Sequence, residues 1–281
     1  GHAFETLGQK DLIIRYCVII NDTSVVQTPH TANWYWDEIN ISPDYEDATS
    51  TDATNYYLYN NTFWIGPLLQ ATPYDTLQDF AAVTTVAVSP NILVVSPTLP
   101  VKSVKDLIAL AKARPGELNY GTPGSGSSPH LGAELFKAMA GVNIVRITYK
   151  SAGASVSEVM AGQIQMTFGT AASVSQQAKS GRLRALAVTS AQPSPLFPEL
   201  PTVAATGLPG YEMVSYFGIF GPPKVPAAIV NKLNSEIVRV INRAEVKDLL
   251  ANAGIEVVGS TPAQLDVVVR AEVTKWRKLI R

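Results

Sequence analysis

Residues 118–141 read LNYGTPGSGSSPHLGAELFKAMAG and encode a strand, a turn and a helix in direct succession. Leu118–Thr122 has the length and composition of a short strand. Ser128 suits the N-cap of a helix, Pro129 its first position, and Gly141 the position that follows its last turn. The stretch therefore predicts a strand that ends in a glycine- and serine-rich turn and leads straight into a helix.

The same succession continues on both sides of this stretch. Val86–Val95 is β-branched and apolar, with a break at Pro90, and predicts one strand or two short ones. The helix Val104–Ala113 begins after the capping residue Ser103, with Asp106 three residues on as in a capping box. Repeated strand–helix steps predict an α/β fold with a parallel sheet and helices on both faces. The later steps are Ile144–Tyr149 with Ala154–Ala161, Ile164–Phe168 with Ala172–Lys179, and the strand Leu183–Thr189.

The C-terminal third begins with a proline-rich segment, Gln192–Gly210, which predicts an ordered loop without regular elements. Amphipathic periodicity then predicts long helices on the outside of the sheet. The expected order is strand Met213–Phe220, a crossover at Gly221–Pro223, helix Pro226–Asn242, helix Glu245–Asn252, strand Ile255–Val258 and a final helix from Pro262 to Ile280.

The bulk composition limits the function classes. The chain has 281 residues, of which 46% are hydrophobic and 16% charged, with a net charge of −1 and a pI near 6.4. We therefore expect no nucleic-acid partner, since nucleic-acid binding requires a basic surface. Cys17 is the single cysteine, so a disulfide framework or a cysteine metal site is excluded, and we expect no cofactor.

The ends of the chain bear on its location. No apolar run of about 18 residues exists, so we expect no membrane span. The sequence does not begin with a charged region followed by an apolar one, so it does not show a signal peptide. We expect a periplasmic protein from which the signal has been removed, although a cytoplasmic chain would look the same.

The turn within Tyr120–His130 carries the strongest indication of a binding site. Backbone N–H groups at a helix N-terminus, together with the helix dipole, favour an anion. A Walker loop would need a lysine after Gly126, and a nucleophile elbow would need a glycine where His130 stands. A dinucleotide fingerprint fails as well, which leaves a small anion such as a carboxylate; a flexible linker is disfavoured by the well-patterned flanking elements.

Two further turns share this small, polar character. Ser151–Ser155 and Gly169–Ser173 each open a predicted helix. The carboxyl ends of parallel strands meet at one edge of a sheet, where ligands of open α/β folds bind. The three turns together therefore predict a pocket floor made of N–H groups and hydroxyls, although each turn alone is also compatible with a plain connection.

The remaining polar side chains give weaker indications. His130 lies in the first helical turn without a second histidine, a cysteine or an acidic cluster, so we expect a packing or helix-entry role and no catalysis. His2 and His30 show no metal-ligand spacing. Tyr216 is compatible with a cleft wall and equally with the core.

The chain resembles the solute-binding proteins of tripartite tricarboxylate transporters, the Bordetella uptake gene type. The resemblance covers roughly residues 74–281 and depends on several short stretches. They are Tyr74–Phe80, Tyr120–Leu131, Thr148–Lys150, Gly162–Gln163, Gly181–Thr189, Phe197–Thr202, Gly210–Tyr211 and Phe217–Pro223.

This resemblance implies a two-lobe periplasmic-binding-protein fold of the Venus flytrap type II class, with two crossovers. Lobe 1 would comprise 1–100 and 224–281, and lobe 2 would comprise 101–223. The implied partners are a small carboxylate and membrane transporter subunits, and we expect a monomer. The implied ligand-binding residues are Thr122, Ser125, Gly126, Ser127, Ser128, Ser151, Ala152, Gly153, Gly169 and Thr170, to which we add Tyr216 as a cleft-wall candidate.

The sequence departs from the family pattern in two places. The family often has aspartate where this chain has Gly169, which favours an acidic or aromatic ligand over one recognised through an amine. The first 73 residues contain two basic and nine acidic residues and lack the expected glycine turn. Asp11–Ile20 and Asn55–Leu58 are the best candidates for the strands of that region, and Asn21–Ser24 for its turn.

Two other function classes remain as alternatives to a binding protein. An α/β enzyme would need a nucleophile–base pair, which none of the motifs supplies. The effector domain of a transcription regulator would need a basic recognition helix ahead of the lobes, which residues 1–73 do not supply. Among carboxylates, citrate-like acids, dicarboxylates, amino acids and aromatic acids all remain open.

Overall fold

The computed structural model describes residues 57–59, 61–69, 71–72 and 74–280. The candidate strand Asp11–Ile20 and turn Asn21–Ser24 lie outside these residues, as do His2, Cys17 and His30. The candidate strand Asn55–Leu58 overlaps the first strand of the structure, which spans Tyr57–Tyr59.

The described residues form eight strands and nine helices, most of them where the sequence predicts them. The strands are β1 (Tyr57–Tyr59), β2 (Ala81–Val95), β3 (Asn119–Thr122), β4 (Val145–Thr148), β5 (Met166–Thr170), β6 (Arg184–Val188), β7 (Val214–Gly221) and β8 (Glu256–Val257). The helices are α1 (Asn61–Leu69), α2 (Val104–Ala113), α3 (Ser128–Ala140), α4 (Ala152–Met160), α5 (Ala171–Lys179), α6 (Val203–Thr206), α7 (Ala227–Ile241), α8 (Ala244–Asn252) and α9 (Pro262–Leu279).

Local signals set the helix ends. Ser103 caps α2 by accepting a hydrogen bond from the Asp106 amide at 3.1 Å. The reciprocal half of the expected capping box is not made, because the Asp106 carboxylate accepts from the Lys102 amide instead. Gly141 ends α3 in the left-handed region, with φ of 62°, as the sequence predicts.

The long strand β2 changes the predicted sheet from parallel to mixed. The strands β3, β4 and β5, which α3 and α4 connect, do run in one direction: β3 pairs parallel with β4 and with β5. β2 inserts between β5 and β6 and pairs antiparallel with both, so β5 and β6 are parallel to each other but not adjacent. The all-parallel prediction is wrong at β2, which leads through α2 to β3 as the sequence predicts but runs in the opposite direction to β3, β5 and β6.

β2 also joins two parts of the sheet. Its residues 81–90 pair antiparallel with β7, and its residues 91–95 pair with β5 and β6. At the change of partners, the Asn91 amide donates to Thr189 Oγ1 at 2.7 Å, and Asn91 Nδ2 donates to the Phe168 carbonyl at 3.0 Å. These buried hydrogen bonds hold the strand through Pro90, where the sequence predicts a break.

The core lies on both faces of this sheet. The largest cluster packs α1, α3 and α9 against the sheet and includes the fully buried Trp64, Phe136 and Trp276. A second cluster lies under α4 and α5, and a third packs α7 on β2 and β7. Apolar burial on two faces is the main stabilising term in such a layered fold.

Two other features complete the architecture. The segment Gln192–Gly210, which the sequence predicts to lack regular elements, contains the short helix α6, and Thr202 caps it through a bond from the Ala205 amide. Among the described helices, none is both long enough and apolar enough to cross a bilayer.

Candidate ligand site at three helix N-termini

The turn between β3 and α3 is held in shape by its own hydroxyl groups. Ser127 Oγ donates to the Gly124 carbonyl at 2.7 Å and lies 3.0 Å from Thr122 Oγ1. Thr122 is fully buried, and Ser127 is half-buried. These hydroxyls therefore serve first to order the turn.

The N-terminus of α3 presents backbone donors that the described residues leave without an acceptor. The N-cap is Ser127, one residue before the predicted Ser128, and its side chain makes no capping bond. Within the described part of the chain, no acceptor binds the N–H groups of Ser127, Ser128 or His130. Unpaired amides at the positive end of a helix dipole form a site suited to an anion.

Gly126 contributes geometry to the turn but not a donor. Its φ is +78°, a left-handed conformation that glycine adopts without strain. Its N–H group donates to His130 Nδ1 at 3.2 Å, so this amide is already engaged. A Cβ at Gly126 would lie 2.8 Å from Leu69 Cδ1, which places the end of α1 directly against the turn.

The second predicted turn, Ser151–Gly153, lies beside the first. β4 pairs in parallel register with β3, with Thr148 opposite Thr122, and the Tyr149 amide donates to the Thr122 carbonyl at 2.9 Å. Ser151 Oγ caps α4 by accepting from the Ala154 amide, whereas within the described chain the Ala152 and Gly153 amides bind no acceptor. The second turn thus repeats the arrangement of the first.

The third predicted turn, Gly169–Thr170, ends β5 on the other side of β3. A Cβ at Gly169 would lie 2.3 Å from Val174 Cγ1, so the close contact of strand and helix requires glycine here. Thr170 is the N-cap of α5 without a side-chain capping bond, and its hydroxyl donates to Ser173 Oγ. The structure therefore brings the ends of β4, β3 and β5 together at one edge of the sheet.

Tyr216 is not part of this edge. It lies in β7 opposite Val88, half-buried, with its ring centroid 6.3 Å from that of Trp64. Burial, reinforced by the nearby Glu212 and Glu272 carboxylates, raises the pKa of its phenol above the usual value. Tyr216 therefore lies on the face of the sheet that α1 and α9 cover.

His130 and Arg146 form a polar pair next to the first turn. Arg146 Nη1 lies 3.1 Å from His130 Nε2, and Arg146 Nη2 donates to Ser125 Oγ at 3.0 Å. Burial, with the Arg146 charge as a second cause, lowers the pKa of His130 to about 4. The histidine is therefore neutral near pH 7 and has the helix-entry role that the sequence predicts.

Sequence reasoning did not single out Arg146. The residue lies in β4, register-paired with Tyr120 of β3, which places the two side chains on the same face of the sheet. Strand alternation in the stretch VRIT indicates which residues share a face of β4 with Arg146, but it does not indicate the contact with His130. Among the described residues, no cluster of three potential metal ligands occurs.

A model of the family described as "Tripartite tricarboxylate transporter family receptor" matches residues 47–281 of this chain. The chain belongs to this receptor family. The match extends over all three turns of the site, and it confirms the resemblance noted from the sequence. Family membership is thus established independently of the site geometry.

Curated relatives of this receptor agree with the family match. A UPF0065 protein from the tcbD-tcbE intergenic region of Pseudomonas sp. strain P51 is 35% identical over 209 residues, which are 74% of this chain and 62% of that relative. Protein BugT of Bordetella pertussis is 32% identical over 241 residues, 84% of this chain and 74% of BugT. The chain thus spans less than two thirds of the first of these relatives.

Solved structures confirm the fold of the receptor. Rpa4515 from R. palustris, determined with adipate, is 33% identical with a TM-score of 0.70, covering 83% of this chain and 78% of that one. The periplasmic binding protein BugD is 25% identical with a TM-score of 0.67, covering 80% and 76%. The predicted α/β fold of the periplasmic-binding-protein class is therefore confirmed.

Proposed function

We propose that this protein is an extracytoplasmic receptor that captures a small carboxylate for a tripartite tricarboxylate-type transporter. The observation that carries the proposal is the group of unpaired amides at Ser127, Ser128 and His130, at the positive end of α3. A carboxylate is the simplest ligand that accepts several N–H bonds at once from such a site.

The neighbouring turns extend this site into a floor of donors. The amides of Ala152 and Gly153 lie at the start of α4, which follows β4, the strand next to β3. On the other side of β3, Thr170 ends β5 and precedes α5. We assign ligand contacts to the turns 122–128, 151–153 and 169–170. Small residues at these positions leave room for a ligand to approach the backbone.

The comparisons support the chemical class of the ligand. Rpa4515, which shares 33% of aligned residues, was determined with adipate, a dicarboxylate. A carboxylate held mainly by main-chain groups fits the turns of this chain, which contain no acidic side chain from Gly121 to Ser128. We infer that this chain likewise binds a carboxylate and releases it unchanged, as a receptor without catalytic function.

The remaining parts of the proposal concern the whole protein. We assign lobe 1 to 1–100 and 224–281 and lobe 2 to 101–223, with the ligand between them and closure on binding. The protein would act in the periplasm as a monomer and deliver its ligand to membrane transporter subunits. β2, which pairs with β7 through residues 81–90 and with β5 and β6 through residues 91–95, is a natural place for the chain to pass between lobes.

Calorimetric titration with adipate tests the proposal directly. Ser128→Leu places a branched side chain at the start of α3, in front of the unpaired amides, and we expect it to abolish heat of binding while the circular dichroism spectrum stays unchanged. Ser235→Leu, on the exposed face of α7, is the matched control and should bind as the wild type does. Unchanged affinity in a folded Ser128→Leu variant would contradict the placement of the site.

A further inference from the structure

Among the described residues, Arg146 has no anionic partner. The described residues place no carboxylate within 4.0 Å of its guanidinium, although they include several surface ion pairs. The nearest acidic side chain on α3, Glu134, is already occupied by Lys137 Nζ at 2.8 Å and by the Tyr120 hydroxyl at 2.6 Å. A partly buried charge is normally paired, so an unpaired guanidinium at a ligand site requires an explanation.

The guanidinium also has unused hydrogen-bonding capacity. Its Nε is buried and has no hydrogen-bond partner in the part of the chain that the structure describes. Its two terminal nitrogens contact only the neutral ring of His130 and the hydroxyl of Ser125. The planar fork of arginine matches the two oxygens of a carboxylate, and neither of these two contacts uses that match.

The contacts of His130 reveal a missing acceptor. Its Nδ1 faces the Gly126 N–H group at 3.2 Å, and its Nε2 faces Arg146 Nη1 at 3.1 Å. A neutral imidazole has one N–H group and one acceptor nitrogen, so both ring nitrogens cannot accept. When Nδ1 accepts from Gly126, Nε2 carries the proton and cannot accept from Arg146 Nη1, so among the described residues this guanidinium nitrogen lacks an acceptor.

The location of this pair relates it to the proposed ligand. Arg146 touches the turn at the exposed Ser125, three residues before Ser128, so the two anchor points lie within about 11 Å along the chain. The turn thus offers main-chain donors on its helix side and an unpaired cation on its strand side. A ligand with two anionic groups can engage both.

We propose that Arg146, positioned by His130 and reaching the turn at Ser125, forms a second carboxylate subsite that makes this receptor selective for dicarboxylates. The proposal rests on the proposed function, because it assumes that the first carboxylate is held by the amides at the start of α3. Arg146 is thus a specificity-determining residue for the ligand.

The wild-type protein allows the first test, with three probes of matched length. These are adipate, its monoamide adipamate, and hexanoate, each titrated by calorimetry at the same ionic strength. We expect adipate to bind at least about tenfold more tightly than the other two, since one charge-assisted contact changes affinity by that order. Equal affinities for adipate and adipamate would overturn the subsite. Binding of all three probes would still agree with the proposed function as a carboxylate receptor.

The Arg146→Gln variant assigns the selectivity to this residue. Glutamine keeps a hydrogen-bonding side chain and removes the charge, so adipate affinity should fall about tenfold or more while hexanoate affinity stays within about twofold. Arg182→Gln, an exposed arginine after α5, controls for general charge steering and should change neither affinity. An equal loss for both ligands would show that Arg146 only shapes the turn.

The outcomes of these tests separate the two proposals. If wild-type protein binds none of the three acids, the proposed function fails and the subsite fails with it. If wild-type protein binds adipate and Arg146→Gln retains the full preference for adipate over hexanoate, the subsite alone is refuted.

Discussion

At the scale of single residues, side chains shape the site and the main chain provides its donors. The hydroxyls of Thr122 and Ser127 bond within the turn, and His130 binds the Gly126 amide. Under the proposed function, this leaves the amides of Ser127 and Ser128 for a ligand. Because main-chain N–H groups are common to almost all residues, the candidate site is only weakly visible in the identity of its side chains.

The low pKa of His130 gives a pH dependence with a definite sign. Its value of about 4 in the folded protein lies below the 6.5 of an unperturbed histidine. The unfolded chain therefore takes up a proton first as the pH falls, and the contribution of His130 to stability, complete above about 6.5, is lost progressively between about 6.5 and about 4.

Comparison with His130→Asn isolates this contribution. Asparagine keeps an acceptor for the Gly126 amide but does not titrate, so the wild type should lose more unfolding free energy than the variant between about pH 7 and about pH 5. Urea unfolding at both pH values measures the difference. Parallel losses in the two proteins would show that His130 titrates normally.

The roles of some of these residues can be predicted from the sequence and those of others cannot, because their interactions differ in how far apart the partners lie along the chain. Ser128 and Pro129 indicate the start of a helix, because capping and proline preferences act between near neighbours. The contact of Arg146 with Ser125 and His130 joins residues 16 and more positions apart, and nothing local in VRIT marks it. Charge partners across strands are decided by packing, which one sequence does not display.

At the scale of elements, the strand–helix turns depend on small residues for different reasons. Gly169 lies against the buried, stiff side chain of Val174, whereas a Cβ at Gly153, in the first turn of α4, would meet only Ser151 Oγ at 3.9 Å. The same substitution should therefore have opposite effects at the two positions.

We expect Gly169→Ala to lower the free energy of unfolding by about 1–3 kcal/mol, because it overpacks the contact of β5 with α5. Gly153→Ala should raise it by up to about 1 kcal/mol, because alanine has the higher helix propensity. Chemical denaturation of both variants provides the measurement. Adding Val174→Ala should relieve the clash that Gly169→Ala introduces. A higher free energy of unfolding for Gly169→Ala alone would contradict the close contact between positions 169 and 174.

Elements with local signals are predictable in this chain, and elements defined by distant partners are not. α2 and α3 are located correctly because Ser103, Pro129 and Gly141 mark their ends. β2 reads as a broken strand at Pro90, since only its partners β5, β6 and β7 make it one continuous element. The insertion of β2 between β5 and β6 likewise depends on pairing between strands that are distant in the sequence, and the order of strands and helices along the chain does not show it.

At the scale of the whole molecule, β2 makes the described parts of the sheet interdependent. Its residues 81–90 belong with β7, and its residues 91–95 belong with β5 and β6. Neither part retains its central strand if the other unfolds, and the hydrogen bonds of Asn91 with Thr189 lie at the junction. Loss of one part therefore removes a strand from the other.

This shared strand predicts a single cooperative unfolding transition that a ligand shifts as a whole. Adipate at about 100 times its dissociation constant should add about 2.7 kcal/mol to the free energy of unfolding by mass action. Differential scanning calorimetry should then show one peak that moves intact to higher temperature, with Ser128→Leu protein as the control that does not move. Two peaks of which only one responds would mean that the two parts unfold separately, despite the strand that they share.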